Sequence, residues 1–135
     1  MYRKIMDFLD AWKMSGYRKP LLLRGARQVG KTYSLLEFGR TRYDNVAFFN
    51  FETSPKLKAA FEDDISPARL IPLLSHIAGQ TIVREKTLVL FDEVQFCPRA
   101  LTSLKYFCED APDYHVIAAG SLLGVATARA EYSFP

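Results

Sequence analysis

Residues 25–32 read Gly25-Ala26-Arg27-Gln28-Val29-Gly30-Lys31-Thr32 and fit G-x-x-x-x-G-K-[ST] at every fixed position. This octapeptide limits what the chain can become, because its chemistry works only between a strand and a helix. The apolar run Pro20-Leu21-Leu22-Leu23 precedes it and predicts a buried strand. Residues 31–38 then predict a helix, with Gly39 as its expected stop. Gly25 and Gly30 allow backbone geometries that turn amides inward around phosphate oxygens. The helix start directs free N–H groups and a positive dipole end at the same anion. Lys31 adds a cation for the β- and γ-phosphates, and Thr32 offers a hydroxyl to Mg²⁺. Without an anion, Lys31 at a helix N-terminus opposes the dipole.

The rest of the chain alternates in the same way. Ile5, Leu9 and Trp12, with Met6 beside them, predict a helix over 2–14 that ends by Gly16. Residues 46–51 predict a second strand. Ser54-Pro55 signals a helix start, with the helix running to Phe61. Ser66-Pro67 repeats the signal for a helix towards Ile77, closed by Gly79, with Pro72 expected to kink or divide it. Residues 87–91 are the clearest buried strand. A helix over 99–108 presents Leu101, Leu104 and Phe107 or Cys108 on one side, and residues 114–119 form a fourth strand. This βα alternation predicts an α/β fold, a mostly parallel sheet covered by helices.

Two further segments carry chemistry. Asp92-Glu93 leaves the carboxyl end of the third strand, where a parallel sheet displays its ligand site. Asp92 is expected to hold Mg²⁺ through water, and Glu93 to polarise an attacking water. Ser121, after the fourth strand, is placed to sense or orient a γ-phosphate, and equally to cap a helix starting at Leu122. Arg27 either contacts phosphate or faces solvent. The expected catalytic group is therefore Glu93, Lys31 and Ser121. The nucleotide-binding group is Gly25, Ala26, Arg27, Gln28, Val29, Gly30, Lys31, Thr32 and Asp92, and the metal pair is Thr32 and Asp92. The residues around 16–19 are a geometrically reasonable place for adenine.

Composition closes off other classes. With 135 residues, 49% hydrophobic and 24% charged, the chain has one domain's worth of core. A net charge of +3, with no basic cluster longer than Arg3-Lys4 or Arg18-Lys19, does not indicate nucleic acid. Two cysteines and two histidines make neither a disulfide scaffold nor a zinc site. Cys97 and Cys108 read as small core or half-buried groups, and His76 and His115 as structural or surface residues. No apolar stretch approaches a membrane span, and Asp7 and Asp10 interrupt any signal core, so a cytoplasmic setting is expected.

The sequence resembles a known family at several separate places. These are the run over 18–32 (RKPLLLRGARQVGKT), Asn50-Phe51-Glu52, the run over 90–95 (LFDEVQ), the run over 101–107 (LTSLKYF) and the run over 116–124 (VIAAGSLLG). They are similar to the AAA+-type core of prokaryotic ATPases of the AAA_14 family, which join this core to a DUF4143 C-terminal domain. The resemblance implies a P-loop NTPase fold, a three-layer αβα sandwich. It also implies ATP binding through residues 25–32, Mg²⁺ at Thr32 and Asp92, a catalytic Glu93 and a sensor role near Ser121. It implies the strand order 5-1-4-3-2 and, in the full-length form, self-association through the nucleotide site. Relatives continue past Ser133-Phe134-Pro135, so residues 1–135 are expected to be an AAA+-like domain cut short after the fourth core strand, with strand 5 and the DUF4143 domain absent. Hydrolysis is expected in the complete protein, with an arginine finger supplied from elsewhere; Arg129 is not assigned that role.

Four other readings stand beside this one. A GTPase needs an Asn-Lys-x-Asp run, which the sequence lacks. A small-molecule kinase with the same loop needs a substrate pocket and lid for which the chain is short. A binding fragment without turnover, or an inert module with a decayed site, differs from an ATPase only in what nucleotide does to it.

Overall fold

A strand whose consecutive residues are all apolar cannot leave either face to water. In the computed structural model, which describes residues 2–16, 19–25 and 29–121, this condition is met by helices on both sides of one sheet. The order is α1 (Tyr2–Met14), β1 (Leu21–Gly25), α2 (Val29–Arg42), β2 (Asn45–Asn50), α3 (Pro55–Ala60), α4 (Pro67–Ala78), β3 (Thr87–Asp92), α5 (Pro98–Asp110) and β4 (His115–Ser121). A single 3₁₀ turn, Val94–Phe96, joins β3 to α5. The sheet runs β1-β4-β3-β2 and every pairing is parallel. This is the 1-4-3-2 part of the order that the resemblance implied, and β1 is an edge strand among the described residues.

The two-residue period of the strands divides the core. Leu88 and Leu90 of β3, Ile117 and Ala119 of β4, and Leu21 of β1 face Met6, Leu9 and Trp12 of α1 and Leu35 and Phe38 of α2. Their neighbours Val89, Phe91, Val116, Ala118 and Leu22 face α3, α4 and α5. Phe91 sits edge-on to Phe49, Phe51 and Phe61 at 5.4–6.0 Å between ring centres. The expected histidines and tryptophan take structural places. His76 is exposed. His115 is buried, with Nδ1 2.6 Å from the Tyr43 hydroxyl. Trp12 donates its indole N–H to the Lys19 carbonyl at 2.7 Å, tying α1 to the approach of β1.

Local start and stop signals were legible to different degrees. Ser54 caps α3, accepting from the Leu57 amide at 3.1 Å. Gly79 ends α4 in the left-handed region at φ 72°. Ser66 precedes α4 but makes no cap bond with its side chain; its hydroxyl donates to Asp64 instead. Pro72 does not divide α4. It lies on the exposed side of the helix, where water can serve the carbonyl that its missing N–H leaves unpaired.

Gly39 is the clearest correction, because α2 runs through it to Arg42. A Cβ at this position would stand 2.3 Å from Cγ2 of Val46 and 3.1 Å from Cδ2 of Leu88. Glycine is there to let α2 lie against the sheet, not to stop it. No helix among the described residues is long and apolar enough to cross a membrane.

Candidate functional site

The connections leaving β1 and β3 go to opposite faces of the sheet. The segment after β1 enters α2, which packs with α1 on one face, while the segment after β3 enters α5 on the other. Such a divergence opens a crevice beyond the carboxyl ends of the strands. The register brings three expected positions, Gly25, Asp92 and Ser121, to this edge, with Asn50 opposite Asp92 and Gly25 opposite Ser121.

Lys31 and Thr32 reach this edge from the first turn of α2, which starts at Val29. The Thr32 hydroxyl donates to Oδ2 of Asp92 at 3.2 Å. The other oxygen, Oδ1, accepts from the backbone N–H of Glu93 at 2.9 Å. The Asp92 carbonyl accepts from the Phe51 amide at 3.0 Å, which fixes the end of β3 against the chain leaving β2. Asn50 turns inward on its own segment, its Oδ1 accepting from the Glu52 amide at 2.8 Å.

Lys31 is half-buried, and burial pushes its ammonium below the ordinary lysine value, while the charges of Asp92 and Glu93 pull it back up. A cation in the first turn of a helix, partly desolvated and facing two carboxylates, is ready for an anion of greater charge. That turn carries no acidic residue. Gly30 has no positive φ, and a Cβ there would meet nothing within 4 Å. Nothing among the described residues demands a glycine there.

Glu93 adopts φ 54° and ψ 43°, in the left-handed region. A glutamate holds that conformation at a cost of about 1 kcal/mol. The surroundings enforce it: Val94 is fully buried, and the Asp92 carboxylate holds the Glu93 amide. Gln95 then folds back, donating from Nε2 to Oε1 of Glu93 at 2.8 Å and accepting at Oε1 from the Ser121 amide at 3.2 Å. Sequence reasoning did not single out Gln95. The left-handed turn that returns it to the strand edge has no glycine or asparagine to announce it.

The expected site residues Gly25, Gly30, Lys31, Thr32, Asp92, Glu93 and Ser121 therefore share one edge, and Val29 opens α2. Ala26, Arg27 and Gln28 lie outside the described residues, as do the expected helix start at Leu122 and Arg129. A cavity of about 340 Å³, lined by Ser66, Pro67, Ile71, Arg84, Asp110 and Tyr114 among others, lies at the opposite end of the strands. Cys97 is buried, and burial pushes its thiol up, which makes it inert rather than nucleophilic.

The donor set is of a kind that could hold a hard divalent cation. A threonine hydroxyl and a carboxylate are hard oxygen donors, and Mg²⁺ is commonly held by one or two protein oxygens plus phosphates and water. Among the described residues no cluster of three or more His, Cys, Asp or Glu side chains forms a self-sufficient metal cage. Thr32 and Asp92 fit a cation that arrives with phosphate oxygens of its own.

A comparison with protein families matches residues 17–134 to a family described as an AAA domain. No curated protein matches the chain.

Proposed function

Since the chain belongs to the AAA-domain family, a nucleotide-binding ATPase-type group, we propose that it binds ATP with Mg²⁺ through a Walker A loop at residues 25–32, with hydrolysis to ADP and phosphate in the complete protein. The observation that carries this reading is the 3.2 Å contact between the Thr32 hydroxyl and the Asp92 carboxylate. In this reading residues 1–135 are one AAA+-like nucleotide-binding domain. The amides of 25–32 and the Lys31 ammonium hold the phosphates, with Gly25, Ala26, Arg27, Gln28, Val29 and Gly30 as the cradle. Thr32 and Asp92 hold Mg²⁺, whose contribution is to neutralise charge on the β- and γ-phosphates.

Glu93 is the base. Its carboxylate accepts a hydrogen bond from water and takes that proton as the water oxygen bonds to phosphorus and the bond to ADP breaks. Ser121, across the register from Gly25, offers its hydroxyl to the γ-phosphate. Lys31 balances the charge that builds on the transferring group.

The test is calorimetric titration of the chain with Mg-ATP and Mg-GTP, with Lys31→Ala in parallel, followed by phosphate release. Saturable ATP binding that the variant loses supports the loop assignment. A folded wild-type chain that takes up neither nucleotide overturns it. Binding without phosphate release leaves a nucleotide-binding module and removes the hydrolysis assignment. Transfer to an acceptor in place of release to water would make it a kinase.

A further inference from the structure

Gln95 is a polar side chain at this edge that the proposed reaction does not use. Both ends of its carboxamide are committed. The NH₂ group donates to Oε1 of Glu93, two residues before it, and the carbonyl oxygen accepts from the amide of Ser121, 26 residues after it. The amide side chain donates to a carboxylate from one end and accepts from a backbone N–H at the other; an ionised carboxylate of the same length cannot donate, and a thioether is only a weak acceptor. The bond to Glu93 involves an ionised acceptor and is of the stronger kind. Glu93 is held on one side by its left-handed backbone and on the other by this bond.

We propose that Gln95 is a positioning residue, which aims the Glu93 carboxylate and ties that aim to the end of β4. This rests on the reading of Glu93 as the base and Ser121 as the γ-phosphate contact. When Ser121 engages a γ-phosphate, its amide is fixed, and Gln95 carries that constraint to Glu93. With no γ-phosphate the same chain of two hydrogen bonds holds the carboxylate against Gln95. The coupling crosses from β3 to β4 without passing through the nucleotide.

The experiment compares wild type, Gln95→Met and Gln95→Glu in the full chain. Binding of a non-hydrolysable ATP analogue with Mg²⁺ is measured by calorimetry. Phosphate release is measured under single-turnover conditions with protein in excess, so that slow chemistry is still counted. Gln95→Met is expected to bind the analogue within about twofold of wild type and to release phosphate about tenfold more slowly or worse, because a displaced base loses much of its effect.

Gln95→Glu separates positioning from mere structure. At neutral pH it keeps the acceptor for Ser121 but sets a second carboxylate against Glu93. Two carboxylates sharing a site raise one another's proton affinity. Its rate relative to wild type is therefore expected to recover as the pH falls from 7.5 towards 5.5, when the introduced carboxyl gains a proton to donate. Gln95→Met, with nothing to protonate, shows no such recovery. If Gln95→Met does not fold, the pH profile of Gln95→Glu decides alone.

An unchanged rate in Gln95→Met, or a flat relative profile in Gln95→Glu, overturns the positioning role and leaves the ATPase reading intact. A wild type that binds the analogue but releases no phosphate overturns this inference together with the hydrolysis step. A wild type that binds nothing shows instead that the phosphate-loop reading itself has failed.

Discussion

The Thr32 hydroxyl donates to the Asp92 carboxylate at 3.2 Å, although 60 residues of chain separate them. One comes from the first turn of α2 and the other from the last residue of β3, so the bond exists only because the sheet places β1 and β3 on either side of β4. If the pair is a cation site, Thr32→Val removes an oxygen donor while leaving the shape nearly unchanged. Nucleotide affinity in excess Mg²⁺ is expected to fall about tenfold, against a much smaller change when Mg²⁺ is chelated. Equal losses in both conditions would show that Thr32 only supports the fold.

Lys31 predicts a trade between stability and binding. Burial holds its ammonium below the ordinary lysine value, so in the window between that lowered value and the ordinary 10.5 the folded chain binds fewer protons than the unfolded one. Stability therefore rises with pH through the window, and the burial penalty is fully present below it. Lys31→Met is expected to melt higher than wild type near neutral pH by about 2–4 °C, since the screened contribution is under about 1 kcal/mol. The gap should close as the pH rises towards the ordinary lysine range. Nucleotide binding follows the opposite course, weakening as Lys31 loses its proton earlier than an ordinary lysine. A lower melting point in Lys31→Met at neutral pH would contradict the assignment.

Gly39→Ala sets two effects of opposite sign against each other. Alanine is favoured over glycine inside a helix by about 1 kcal/mol. The added Cβ, however, would lie 2.3 Å from Cγ2 of Val46, and overpacking of this kind costs about 1–3 kcal/mol. The clash wins, because 2.3 Å is far inside van der Waals contact and the Val46 methyl has to turn out of its present place or β2 has to shift. Net destabilisation of up to about 2 kcal/mol is expected by denaturant unfolding. Stabilisation would mean that α2 can slide off the sheet at little cost.

Phe91 is 1% exposed and meets three other phenylalanine rings edge-on. Phe91→Ala is expected to cost about 3–5 kcal/mol, which is a large part of the stability of a typical domain. Phe91→Leu, which refills most of the space, should cost less than half as much. Because Phe91 immediately precedes Asp92, nucleotide affinity gives an independent readout. It should fall in Phe91→Ala even under conditions where that variant remains folded.

Sequence reasoning was strongest where a signal acts on its own neighbours. The Ser54 cap and the left-handed Gly79 each constrain backbone angles within one turn of themselves, and such constraints can be read one residue at a time. The apolar runs likewise determined which segments must be strands buried on both faces, hence an α/β sheet. Tertiary structure decided the rest. Gly39 and Gly79 look alike in the sequence, yet one permits contact with Val46 and Leu88 while the other ends a helix, because close approach depends on a strand that arrives later in the chain. Pro72 is tolerated because that side of α4 faces water, and Gln95 acquires a purpose only when β4 brings Ser121 alongside. Local angles are set by each residue's own sterics, whereas contacts between distant segments are set by how the two faces of the sheet are filled.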